Sequence, residues 1–340
     1  MKQITPLIIL LLFTFSLTAQ RLSKADQLFF TKKEDSMKDL ALNIIQGRTK
    51  EDRVKADSAF TRIFVRALNS PHSFQYPFDS LVTISMLCPA DSSFRIYTWQ
   101  LVVDDNRIRQ HGAIQLHTDD GSLKLLPLSD RSDNTIGFAD TTGNNKAWMG
   151  AVYYKIIQKK KGAENIYTLL GYDENNIRSS RKIIEILTFN NGEPLFGGRY
   201  FSFEEDSIFR SSVSRYVMEY KKEAGPRLTY DDELDMIVME HLISETGEIN
   251  KKYTLVGDGD YEGFKWRNGK WVHVEKVFHY VTPEGKEPVP SPLRSDDGTI
   301  DKTKLKNNGE VEDETPENKT PVTKPAVVKP KTPVKKKPKG

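Results

Sequence analysis

The chain has 340 residues, 37% hydrophobic and 10% aromatic, which excludes disorder throughout and suits one large domain or two smaller ones. Cys88 is the only cysteine, so a disulfide framework and any site built from several thiolates are excluded. The formal charge of +3 is unevenly placed: the basic excess sits at the C-terminus, and the rest is close to neutral, without the basic footprint of a nucleic-acid-binding protein.

Residues 1–19 predict a secretory signal. Met1-Lys2-Gln3 is a short, weakly basic start, an apolar run follows from Pro6 to Leu17, and Thr18-Ala19-Gln20 offers a small residue for cleavage near Ala19. The run is shorter than the roughly 20 residues that a membrane-spanning helix needs. No later segment is long and apolar enough, so no transmembrane span is expected after cleavage.

Residues 20–72 read as a helical segment. From Ser36 to Gln46 the apolar positions recur at helical spacing, and Gly47 stops them. Thr49 with Asp52 three residues on predicts an N-cap pair. Behind it Val54, Ala56, Ala59, Phe60, Ile63, Phe64 and Ala67 form an apolar stripe that Pro71 ends.

From 75 to 280 the pattern changes to short β-branched and aromatic runs punctuated by Gly, Asn and Asp. Strands are expected over 94–103, 107–117, 123–128, 147–157, 166–172, 182–189, 213–220, 236–243 and 253–256. Short turns between neighbours imply an antiparallel meander. The expected fold is therefore mainly β, closing as a sandwich, a barrel or irregular blades, and preceded by the short helical segment. Cys88, within Met86-Leu87-Cys88-Pro89, is expected as a small buried hydrophobe.

The sharpest local expectation is a hairpin over 262–276. Asn268-Gly269 is a strong type I′ turn signal. A two-residue loop sets Trp266 opposite Trp271, Phe264 opposite His273 and Glu262 opposite Glu275, all on one face. Exposed, this face offers a tryptophan pair flanked by carboxylates, a candidate sugar site made of Trp266, Trp271, His273, Glu262 and Glu275. Buried, it is core, the commoner use of aromatic pairs. Just before it, Asp258-Gly259-Asp260-Tyr261-Glu262-Gly263 begins like a calcium loop, but Gly269 stands where the bidentate Glu belongs, so a solvated turn is expected.

His111 and His117 fall on one face of a regular strand but roughly 20 Å apart, too far to share a metal. Asp104-Asp105 and Asp119-Asp120 suit turns. No H-E-x-x-H, G-x-S-x-G or phosphate-binding glycine loop occurs. No cofactor and no metal are called for, and no catalytic residue is assigned.

Residues 281–340 read as a disordered, Pro/Lys-rich tail, poor in large apolar residues. Ten acids against six bases precede Pro321, and seven lysines with no acid follow it.

The strand Phe94-Arg95-Ile96-Tyr97-Thr98-Trp99-Gln100, the run His111-Gly112-Ala113-Ile114-Gln115-Leu116, Trp148 with Tyr153-Tyr154-Lys155-Ile156-Ile157, and Tyr167-Thr168-Leu169-Leu170-Gly171-Tyr172-Asp173 carry a resemblance. Together with the signal end Leu17-Thr18-Ala19-Gln20, they resemble a group of secreted β-rich proteins of Bacteroidetes that has no assigned activity. The resemblance implies export by a Gram-negative bacterium, to the periplasm or the cell exterior. It also implies O-glycosylation at Asp-Ser/Thr patterns, which Asp35-Ser36-Met37, Asp57-Ser58-Ala59, Asp79-Ser80-Leu81, Asp140-Thr141-Thr142 and Asp206-Ser207-Ile208 fit.

Two functions stay open. The first is a non-catalytic envelope or secreted module whose basic tail binds a polyanionic envelope component or cell-surface partner through counterion release. The second is a carbohydrate-binding protein or hydrolase using the Trp266/Trp271 face, with Glu262 and Glu275 as its carboxylate pair.

Overall fold

The structure, a computed structural model, describes residues 22–278 apart from Asp105 and Phe209. The expected signal over 1–19 and the expected tail over 281–340 lie outside these residues.

Two helices come first. Ser23 caps α1 (Lys24–Gln46) by accepting from the Asp26 N–H, and the helix stops at Gly47 as expected. The expected cap of α2 (Lys50–Leu68) is a full capping box: the Thr49 hydroxyl accepts from the Asp52 N–H, and the Asp52 carboxylate from the Thr49 N–H. The stripe on α2 differs in two members. Val54 is exposed, and Asp57 takes a buried place, its carboxylate bonded by the Trp99 indole and facing His111 Nδ1 at 2.9 Å.

The strands follow in chain order: β1 (Ser85–Leu87), β2 (Phe94–Asp104), β3 (Arg107–Leu116), β4 (Lys124–Ser129), β5 (Gly143–Asn144), β6 (Val152–Lys161), β7 (Glu164–Asp173) and β8 (Ser179–Asn190). Then come β9 (Glu193–Phe196), β10 (Phe201–Ser202), β11 (Tyr216–Lys221), β12 (Leu228–Asp231), β13 (Met236–Ser244), β14 (Leu255–Arg267) and β15 (Lys270–Val274). They form three sheets, ordered β1-β2-β3-β4, then β5-β9-β8-β7-β6 with β11 also on β8, then β10-β15-β14-β13-β12. The fold is mainly β and antiparallel; β10 with β15 is a two-residue parallel pair.

Alternation of side chains sets the layers. Tyr97, Trp99 and Leu101 of β2 face the helices and pack with Phe30, Phe60 and Phe64. Phe94 and Ile96 point the other way, onto Tyr167, Leu169 and Ile183 of the second sheet. The opposite face of that sheet, with Ile166, Leu170 and Ile184, packs on Ile237, Phe264 and Trp271 of the third. Helices and three sheets thus stack as four layers over three cores, so the meander takes the sandwich form.

Several sequence expectations are corrected. Cys88 is exposed, because β1 is an edge strand that ends at Leu87. The strand expected from 147 starts at Val152; Trp148 instead bridges Asp130, its N–H donating to the Ser129 carbonyl. Of the strand expected over 253–256, Tyr253 and Thr254 belong to a 3-10 turn (Lys252–Thr254), while Leu255 and Val256 open β14, which continues as the first hairpin strand. The expected solvated turn at Asp258-Gly259-Asp260 is a β-bulge within it: Glu240 faces Tyr261 and Leu242 faces Gly257, so His241 stands against three residues. Among the described residues, no helix is long and apolar enough to cross a membrane.

Candidate functional site

The hairpin forms with the register expected from Asn268-Gly269. Both turn residues have positive φ, 50° and 78°, and Trp266 faces Trp271 while Phe264 faces His273. Trp271 and Phe264 are fully buried against the second sheet, and the Trp271 indole donates to Thr168 Oγ1 at 2.8 Å. Trp266 is half-buried, packs edge-on against Trp271 at 5.2 Å and donates to the Lys160 carbonyl. The aromatic face is therefore core.

Glu262 and Glu275 part company where the ladder ends, at Gly263 opposite Val274. The Glu262 carboxylate accepts from Tyr216 Oη at 3.0 Å, and that of Glu275 from the Ser207 N–H and Oγ at 3.0 and 2.7 Å. Both line one groove of 740 Å³, within the size range of ligand pockets. The groove lies along β11, and Phe138, Ala139, Ile208, Arg210, Leu242, Ile249, Leu255 and the cation Lys252 also line it.

Behind this groove His273 is buried between two carboxylates. Its Nδ1 lies 2.8 Å from Asp206 Oδ1, and its Nε2 lies 3.2 Å from Glu262 Oε2, off the hydrogen-bond direction. Arg210 Nε sits 2.9 Å from Asp206 Oδ2, and its NH2 reaches within 3.9 Å of Glu262. Further along, Arg181 Nε bonds Glu219 Oε2 at 3.0 Å, and its NH1 lies 3.5 Å from Asp173. His241 Nδ1 lies 2.8 Å from Asp258 Oδ2 across the bulge. The cations Arg181 and Arg210 are thus each met by an aspartate from outside the lining.

The electrostatics of the two glutamates follow from these partners. Burial pushes the Glu262 carboxyl up, but His273 and Tyr216, helped by Arg210, more than offset it and hold the group below its ordinary value. Hydrogen bonds from Ser207 hold the exposed Glu275 low as well. A carboxyl depressed in the folded state contributes stability above its unfolded value, and that stability is lost as pH falls through the folded value. Wild type is therefore expected to lose more Tm than Glu262→Gln on acidification below the ordinary value of 4.5. Melting curves from pH 7 to about 3 check this; parallel Tm profiles would show that Glu262 carries none of the acid sensitivity.

Of the five site residues suggested by the sequence, Glu262, Glu275 and His273 fall at or behind the groove, and the two tryptophans do not line it. Sequence reasoning passed over Arg210, Tyr216, Arg181, Glu219 and His241, which no local pattern links. Asp206-Ser207-Ile208 was visible only as a modification pattern. His111 and His117 serve separate ends, His111 at Asp57 and His117 edge-on to Phe74. Among the described residues no group of three or more His, Cys, Asp or Glu is arranged to hold a metal ion.

No family model, no curated protein and no solved structure matches the chain.

Proposed function

We propose that the chain is a non-catalytic exported module that binds a partner in the groove beside β11 and engages a polyanion through its lysine-rich tail. The observation that carries the reading is the state of the two groove carboxylates. Both Glu262 and Glu275 are held below their ordinary values by donors from the protein itself. A glycosidase needs one carboxyl that keeps its proton near neutrality to donate to the leaving group. The protein's own donors favour the charged form of both glutamates, against the protonated acid that this chemistry needs. Their charges, together with the paired arginines, are fixed for recognition.

The reading is tested by assaying aryl glycosides and polymeric glycans with wild type, Glu262→Gln and Glu275→Gln. No turnover above the blank is expected from any of them. Hydrolysis by wild type that either variant abolishes would restore the hydrolase. For the tail, wild type is expected to be retained on an immobilised anionic polysaccharide at low salt and released as salt rises. A chain lacking residues 321–340 should flow through; equal retention would remove the tail from the proposal.

A further inference from the structure

We propose that His273 is a pH-sensitive switch behind the groove: with a proton on both ring nitrogens it draws Glu262 back, and on losing one it releases the Glu262 carboxylate into the groove. The switch does not depend on what the groove binds, and so goes beyond the reading above.

Its setting is closed to water. The side chains of His273 and Asp206 are fully buried, and that of Glu262 is one-tenth exposed. The rings of Phe203 and Phe264 flank the imidazole, with centroids 5.4 and 5.1 Å away. Charged and titratable groups surround it from each element packed there. Asp206 and Arg210 come from the chain after β10, Tyr216 from β11, Glu262 from β14, and Glu275 from just past β15.

A neutral ring cannot satisfy both of its carboxylates. Nδ1 lies 2.8 Å from Asp206 Oδ1, and Nε2 lies 3.2 Å from Glu262 Oε2. A neutral imidazole has one N–H, so its other nitrogen would turn a lone pair on a carboxylate, whereas the imidazolium presents a proton to each. Among the described residues Nε2 makes no directed hydrogen bond, so charge rather than geometry holds Glu262 to it. That contact is the weaker of the two and parts first. Asp206, without exposure, keeps the remaining proton at Nδ1. Glu262 lines the groove and has Arg210 NH2 within 3.9 Å to turn to.

The neighbours keep their states as pH rises from neutrality. The donors to Glu262 outweigh its burial and keep it ionised, while burial and Glu262 push the Tyr216 phenol up, so that it stays a donor. Arginine stays charged. Histidine is the side chain whose charge ordinarily changes between about pH 5 and 8.

Nitrogen and proton NMR on the full chain tests the switch, with the ring assigned through its contacts to Phe203 and Phe264. At about pH 5 both ring nitrogens are expected to carry protons; toward about pH 9 Nε2 alone loses its own, and Overhauser contacts from the ring to Glu262 fade with the same midpoint. Wild type alone supplies these readouts. Glu262→Gln removes the facing charge and should lower the midpoint by about one pH unit or more, while His241, whose partner Asp258 is untouched, keeps its own. A ring with a single proton at about pH 5, or with both still in place at about pH 9, overturns the switch. So does loss of the proton from Nδ1, persistence of the Glu262 contacts through the transition, or an unchanged midpoint in Glu262→Gln. No ligand enters the measurement, so its outcome and that of the groove as a binding surface are read separately.

Discussion

Arg215→Met is expected to lower the stability of the folded chain by about 3–5 kcal/mol, because it leaves the Glu185 carboxylate buried without its counter-charge. Both side chains are fully buried, with Arg215 Nε and NH2 donating to Glu185 Oε1 at 2.9 and 2.6 Å. The other guanidinium nitrogen donates to the Phe138 and Thr141 carbonyls. Glu185 Oε2 accepts from Tyr153 Oη at 2.8 Å, and that oxygen accepts from the Trp148 indole at 2.9 Å. Burial and the neighbouring Glu185 push the Tyr153 phenol well above its usual value, so it stays a donor throughout the working range. The network pins the segment that closes one end of the groove onto β8 and β11. At roughly 2–4 °C per kcal/mol for a domain of this size, the Tm should fall by about 6–20 °C. Replacing both partners, Arg215→Met with Glu185→Leu, should recover much of the loss, since the desolvated charge goes with its mate. A Tm within about 2 °C of wild type for the single variant would show that the pair holds nothing in place.

Where local chemistry dictates structure, it could be read from the sequence. Asn268-Gly269 fixes a register because only a two-residue turn with positive φ at both positions reverses the chain there, and Thr49 with Asp52 fixes a helix start. Signals shared by two structures misled. Asp258-Gly259-Asp260 has the composition of a turn, and a bulge uses the same left-handed glycine, here Gly259 at φ 88°. Strands of two to four residues, such as β5, β9, β10 and β12, are too short to show alternation. The groove was the least legible feature. Its lining comes from separate segments around 138, 181, 210, 217, 241, 255, 262 and 275, which only the stacking of sheets brings together. A buried arginine such as Arg215 has no sequence signal either, since the same residue type is ordinarily exposed.

Trp271→Ala is expected to cost about 3–5 kcal/mol, the range for removing a large aromatic from a packed core. Trp271 belongs, with Ile166, Leu170 and Phe264, to the core between the second and third sheets, and truncation also strands the Thr168 hydroxyl that its indole now bonds. Trp266→Phe should cost far less, because Trp266 is only half-buried and its bond to the Lys160 carbonyl is long, at 3.3 Å. The two variants therefore separate packing from recognition. If the pair is core, Trp271→Ala melts much earlier than Trp266→Phe. The emission lost in Trp271→Phe is then a component that acrylamide quenches poorly and added glycans leave unchanged. If instead Trp271→Ala keeps the wild-type Tm, and glycans shift the component that Trp271→Phe removes, the aromatic face is open to ligand. Enzyme assays on the hairpin would then come first.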